Sequence, residues 1–133
     1  FARTIAMRIG RGRGLTPSAD DIVLGLASGL QLRTIWADHL VALQSVMGSV
    51  APGQTTDVSL ALLRSAAEER FPPALAALCK DLFDAAGVES GFRRVARIGA
   101  GSGRDMIAGL AISLRVPPGD TTSESIRRRK KSP

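Results

Sequence analysis

Tyrosine is absent from this 133-residue sequence, aromatic residues make up 4% of it, and cysteine and histidine occur once each. Each scarcity removes a class of explanation. Four phenylalanines and one tryptophan, against abundant alanine and leucine, do not suit a sandwich or barrel, which draws on aromatic and β-branched residues. Close-packed helices fit this balance better. A single cysteine, Cys79, permits neither an internal disulfide nor a thiolate metal cluster, and fits a reducing compartment such as the cytoplasm. It lies in Ala74-Leu-Ala-Ala-Leu-Cys79, the setting of a buried small apolar residue. No apolar run is long enough to cross a bilayer, and Arg3 and Arg8 flank a stretch without the apolar core of a secretory leader. The chain opens on Phe1, as a fragment would.

What is present points to one soluble domain with a real core: 44% hydrophobic and 23% charged residues. The net charge is +6, but Arg127, Arg128, Arg129, Lys130 and Lys131 supply five positive charges in one terminal run. Without them +1 remains, so the pI describes a tail. No aromatic residues interleave with these charges to stack bases, so nucleic acid is not an expected partner and residues 117–133 read as a disordered basic tail.

The most informative pattern occurs twice. Ser18-Ala-Asp-Asp21-Ile-Val-Leu-Gly25-Leu26-Ala27-Ser-Gly-Leu30 and Ser102-Gly-Arg-Asp105-Met-Ile-Ala-Gly109-Leu110-Ala111-Ile-Ser-Leu114 align at an offset of 84 residues. Each follows a glycine-rich run, Gly10-Arg-Gly-Arg-Gly14 or Gly99-Ala-Gly101. A glycine loop feeding a helix start gathers free backbone N–H groups and the positive helix end in one direction, which suits an anion. Gly25 and Gly109 lie one turn beyond their aspartates, and a mid-helix glycine costs about 1 kcal/mol relative to alanine. Close approach of the two helices would offset that cost. The first and last helices are therefore expected to cross at their glycines and bring both loops into one pocket.

The remaining punctuation suggests an all-α bundle of five to six helices over residues 1–116. Residues 1–9 read as a short strand or extended lead-in. Thr16 is placed as N-cap and Leu15 as a hydrophobic staple for a helix from about Pro17 to Leu32, burying Ile22, Val23, Leu26, Ala27 and Leu30. A second helix covers Thr34 to Met47. Thr55-Thr-Asp57 caps a third, and Pro72-Pro73 opens a fourth that runs through Ala86 to Gly87. Glu89 to Arg97 is a short connecting segment, and the last helix runs from about Gly103 to Arg115. Val116-Pro117-Pro118-Gly119 ends the fold.

Gly10-Arg-Gly-Arg-Gly-Leu-Thr-Pro-Ser-Ala-Asp-Asp21 resembles the G-x-G-x-G-L-T-P-S-G-D-D signature of a bacterial family of conserved domains, whose best understood members are similar to the AllH-type subunit of oxamate carbamoyltransferase. Thr55-Thr-Asp-Val-Ser59-Leu-Ala-Leu-Leu63 resembles the family's T-x-x-x-S-x-x-L-L helix, and Gly99-Ala-Gly-Ser-Gly103-Arg-Asp105 its G-H-x-S-G-x-D loop. The resemblance runs from Ile9 to about Leu114. It implies an enzyme subunit handling carbamoyl phosphate and a small carboxylate such as oxamate, with other subunits or copies of itself as partners. It also implies a longer protein, of which this chain is the C-terminal helical half or a truncated member. Three positions depart from the pattern: Ala19 replaces glycine, Arg13 stands where proline is frequent, and Ala100 where histidine is frequent. If that histidine handles protons or substrate, the chain binds a related ligand without turning it over.

The candidate catalytic residues are Asp21, Ser102 and Asp105; the candidate substrate-binding residues are Gly12, Arg13, Gly14, Thr16, Ser18, Gly101, Gly103 and Arg104. Backbone amides of residues 12–15 and 101–103, the Thr16, Ser18 and Ser102 hydroxyls, and the Arg11, Arg13 and Arg104 guanidinium groups all suit a small anionic substrate. The aspartates have two readings. They compensate helix ends, with Ser102-Gly-Arg-Asp105 a near capping box, or Asp21 and Asp105 bind a substrate amide or a divalent cation. Three carboxylates without fixed geometry do not define a metal site, so neither metal nor cofactor is expected. His39 is read as a surface or packing residue and Trp36 as core or interface. The competing readings are a carbamoyltransferase-like subunit, a non-catalytic anion-binding or assembly protein and, third, a helical protein that associates with nucleic acid through its basic tail.

Overall fold

The computed structural model describes residues 1–115, and every regular element in them is helical. In chain order these are α1 (Ala2–Ala6), α2 (Ser18–Leu30), a 3-10 turn (Thr34–Trp36), α3 (Ala37–Gly48), α4 (Asp57–Ala67), α5 (Pro73–Asp81), α6 (Val88–Ala96) and α7 (Ser102–Arg115). The boundary expected near residue 116 and the basic tail lie outside the described residues.

Helix α2 runs through the middle. Its residues are small or aliphatic on almost every side, and Val23, Leu24, Ala27 and Leu30 are buried with Gly25, Ser28 and Gly29. An apolar helix of this kind has no solvent face, so it becomes the post around which amphipathic helices pack. Leu43 and Met47 of α3, Leu60 and Leu63 of α4, Leu75 and Leu78 of α5, and Val95 of α6 close the core with Met106 and Leu110 of α7. Ile22 and Leu26, expected to be buried, are half-buried, with Leu26 packed against the core. Cys79 is buried within 3.8 Å of the Ser28 carbonyl oxygen, and burial pushes its thiol pKa up.

The most extensive contact among the described residues joins α2 and α7. A methyl group on Gly25 would overlap the Met106 carbonyl oxygen and crowd the Leu110 amide; one on Gly109 would overlap the Ile22 carbonyl oxygen and crowd the Leu26 amide. Adding 84 to the partners of Gly109 gives the partners of Gly25. Gly29 approaches Ser113, its own counterpart at the same offset. The repeated sequence therefore packs against itself across an internal pseudo-two-fold axis. Only hydrogen in place of Cβ lets backbone touch backbone at both crossing points, so the glycines offset their helix-propensity cost here.

Several local expectations are corrected. Residues 2–6 form a helix and not a strand: Ile5 and Ile9, four apart, turn toward the core, and the Met7–Ile9 alternation is too brief to dictate otherwise. Residues 88–96, taken as a connector, form α6, where Val88, Gly91, Phe92 and Val95 repeat at helical spacing and Arg93 pairs with Glu89 at 2.7 Å. There are accordingly seven α-helices among the described residues. Helix α5 stops at Asp81, short of Ala86, because the Asp84 carboxylate accepts from the Ala86 amide and holds a turn. The second helix is divided, with a 3-10 turn preceding α3. Leu15 is 75% exposed and staples nothing.

Candidate functional site

Both glycine loops arrive at the same end of the α2–α7 pair. The first loop is fixed from below by Asp20, which is fully buried. Its Oδ1 accepts the Gly10 amide at 2.7 Å, and its Oδ2 accepts the Thr55 and Ser59 hydroxyls, each at 2.5 Å. Thr56 adds a bond to the Leu15 carbonyl oxygen while capping α4 by accepting the Ser59 amide. Gly10 passes so close to the Gln54 carbonyl oxygen that no side chain fits there, and its φ of +83° is one that other residues rarely adopt. Asp20 thus ties the loop, α2 and the start of α4 together. Its expected role as a simple helix-end charge is too small for what it does.

Asp21, the next residue, turns to the other side. Thr16 Oγ1 donates to Asp21 Oδ2 at 2.9 Å and sits 2.5 Å from Ser102 Oγ at the start of α7. These contacts join the two repeats across 86 residues of chain. Thr16 is consequently not the N-cap of α2: Pro17 holds that position, with no side-chain cap bond. Asp21 is 1% exposed, and its Oδ1 has no hydrogen-bond partner among the described residues. Burial pushes its pKa up from 3.8 to about 6; the Thr16 and Ser102 hydroxyls pull against the shift, and the Asp105 and Asp20 carboxylates add to it.

Above this pair lies an open hollow of about 280 Å³. Of the residues picked from the sequence, Arg13, Gly14, Thr16, Ser18, Gly101, Ser102 and Asp105 line it. Leu15, whose backbone amide was among the expected donors, and Gly99 and Ala100 of the second glycine loop complete the lining. Asp21 lies beneath, behind Thr16 and Ser102. Three candidates lie elsewhere. Gly12 packs against the Pro17–Ser18 backbone, and Gly103 is buried where any side chain would strike the Val95 carbonyl oxygen. The Gly103 amide is also spent on the Ile98 carbonyl at 3.0 Å, so it is no donor to a ligand. Arg104 is exposed and outside the lining. Arg11 donates to the Met7 carbonyl oxygen, leaving Arg13 as the cation of the lining among the described residues.

Residues 8–114 match the model of the family described as oxamate carbamoyltransferase subunit AllH. The chain belongs to the AllH family. No curated protein and no solved structure matched it. The AllH match covers both repeats, both glycine loops and the Thr55–Ser59 stretch, the parts that the Asp20 and Asp21 networks hold together.

Sequence reasoning missed Thr55 and Ser59 as the partners of Asp20. Their four-residue spacing, straddling the start of α4, was the available signal. His39 lies apart from the hollow, its ring packed edge-on to Phe1 and Trp36 at centroid distances of 5.0 and 4.9 Å. Among the described residues no group of three or more His, Cys, Asp or Glu side chains is arranged to hold a metal ion, and no helix is long and apolar enough to cross a membrane.

Proposed function

We propose that this chain is a carbamoyltransferase-type subunit that holds a small anionic substrate, carbamoyl phosphate or a small carboxylate such as oxamate, in the hollow between its paired glycine loops. The observation that carries this reading is the Thr16–Ser102 contact, which places both helix starts on one cavity. The donor set has the right chemistry. Arg13 offers a planar fork to phosphate or carboxylate, Ser18 and Ser102 offer hydroxyls, and the glycines allow main chain to approach a ligand closely. In a carbamoyl transfer, donors in these positions stabilise charge developing on the phosphate leaving group and on the carbonyl oxygen. On this reading Asp21, Ser102 and Asp105 are the side chains that accept or hand on a proton. Turnover is expected in the company of partner subunits, and the subunit works in the cytoplasm.

Calorimetric titration with carbamoyl phosphate and with oxamate tests the reading. Heat of binding is expected for at least one, and Arg13→Ala should weaken it about tenfold, the loss of one charge-assisted hydrogen bond. No heat for either ligand overturns the proposal.

One observation favours a second reading. Ala100 lines the hollow at the position where the resemblance leads one to expect histidine, and the chain's single histidine, His39, is elsewhere. A site without that imidazole suits binding without turnover, as in an anion-sensing or assembly subunit. Partner-reconstituted assays of wild type and Ala100→His separate the two.

A further inference from the structure

Three groups stand in line between the interior and the hollow: the Asp21 carboxyl, the Thr16 hydroxyl and the Ser102 hydroxyl. A hydroxyl has one proton to donate. When Thr16 gives its proton to an ionised Asp21, the bond between Thr16 and Ser102 is donated by Ser102. Both hydroxyl protons then point inward, and Ser102 offers the hollow lone pairs alone, which repel an anion. A protonated Asp21 reverses the chain. Its Oδ2–H donates to Thr16, Thr16 donates to Ser102, and Ser102 donates to the occupant of the hollow.

We propose that an anion enters the hollow together with one proton, taken up by Asp21, whose arrival turns the Thr16–Ser102 chain outward. This rests on the reading of the hollow as an anion site and adds its control. The proton comes from solvent, the two hydroxyl protons change direction, and no other bond forms or breaks. For a monoanion the complex keeps the net charge of the free protein.

The surroundings favour this coupling. Asp20 on the same helix and Asp105 on α7 both disfavour a charged Asp21. Arg13, from the first glycine loop, lines the hollow, and no cation contacts Asp21 among the described residues. Asp21 Oδ1 is buried without a partner, so Thr16 and Ser102 are the hydrogen-bonding groups that sustain its charge. An incoming anion adds a further repulsion and competes for those same hydroxyls. A carboxyl already raised to about 6 needs only a modest push to be protonated at neutral pH.

The test is isothermal calorimetry of the 133-residue chain with oxamate, whose carboxylate stays ionised across the range used. Titrations between about pH 5 and pH 8 in buffers of different ionisation enthalpy give the protons taken up per ligand. Uptake should rise from near zero at the acid end toward one near neutrality, and affinity should fall by about tenfold per pH unit above about 6.5. Asp21→Asn, whose amide can donate to Thr16 at any pH, should bind oxamate with pH-independent affinity and no proton uptake. If that variant does not fold, the infrared band of a neutral carboxyl, appearing in wild type on oxamate addition, supplies the same readout. Oxamate binding without proton uptake overturns the coupling and leaves the hollow an anion site. Absence of heat with oxamate at every pH overturns the coupling, and absence of heat with carbamoyl phosphate as well overturns the anion site itself.

Discussion

Asp20 and Asp21 are adjacent in sequence, equally buried, and opposite in character. The Asp20 side, where α2 meets the start of α4, is saturated: three donors converge on one carboxylate and no oxygen is left over. The Asp21 side, where α2 meets α7, is undersupplied: one oxygen is shared with a hydroxyl chain and the other has no partner. A fully satisfied buried polar cluster fixes geometry, whereas a partly satisfied one leaves a carboxylate whose charge is unfavourable. One turn of one helix thus supplies both the anchor of the first loop and the buried carboxyl beneath the hollow.

The strongest way to break this comparison is at the anchor. Asp20→Ala leaves the Gly10 amide and the Thr55 and Ser59 hydroxyls without their acceptor, and should destabilise the fold by about 3–5 kcal/mol in denaturant unfolding. A change below about 1 kcal/mol would show that the cluster does not hold the loop. Next in size is the seam. Gly25→Ala gains helix propensity but forces α2 from the Met106 carbonyl, with an expected net loss of about 3 kcal/mol. It should also weaken oxamate binding, since Thr16 and Ser102 are drawn apart while the Asp20 cluster is spared.

The smallest effect has the opposite sign. The folded-state pKa of Asp21, about 6, lies above the ordinary 3.8. The stability contributed by its neutral form is therefore complete below pH 3.8 and lost as pH rises through 6. Asp21→Asn should be more stable than wild type at pH 8 by about 2 kcal/mol, with the gap closing toward pH 4. Thermal melts across that range check it, and a gap that widens on acidification would reverse the assignment of Asp21.

The seam beside this contrast was legible in the sequence, and for physical reasons. The 84-residue repeat and the cost of a mid-helix glycine were enough to foresee the α2–α7 crossing, because few arrangements repay two glycines at matched positions. The Asp105, Ser102 and Thr16 side chains followed from that crossing. The roles of Asp20, Gly12 and Gly103 did not, because each is decided by a partner distant in sequence: Thr55 and Ser59 for the first, the backbone at the start of α2 for the second, and Val95 for the third. Helix α6 was missed because its apolar positions are few and its charges many; its identity comes from packing against α5 and α7. Pattern reads the face an element shows, and tertiary contact decides which polar group spends its bonds where.

The pseudo-symmetry of the glycine seam bears on how a ligand is oriented. A backbone frame that maps onto itself on exchanging its halves has no preferred head or tail, so polarity falls to the few side chains that differ between equivalent places. At the 84-residue offset of the sequence Thr16 corresponds to Ala100, and Arg13, which lines the hollow, to Arg97, which is exposed and outside its lining. Reversing the direction in which an unsymmetrical substrate lies would thus take exchanges at two or three positions, with the helices left untouched.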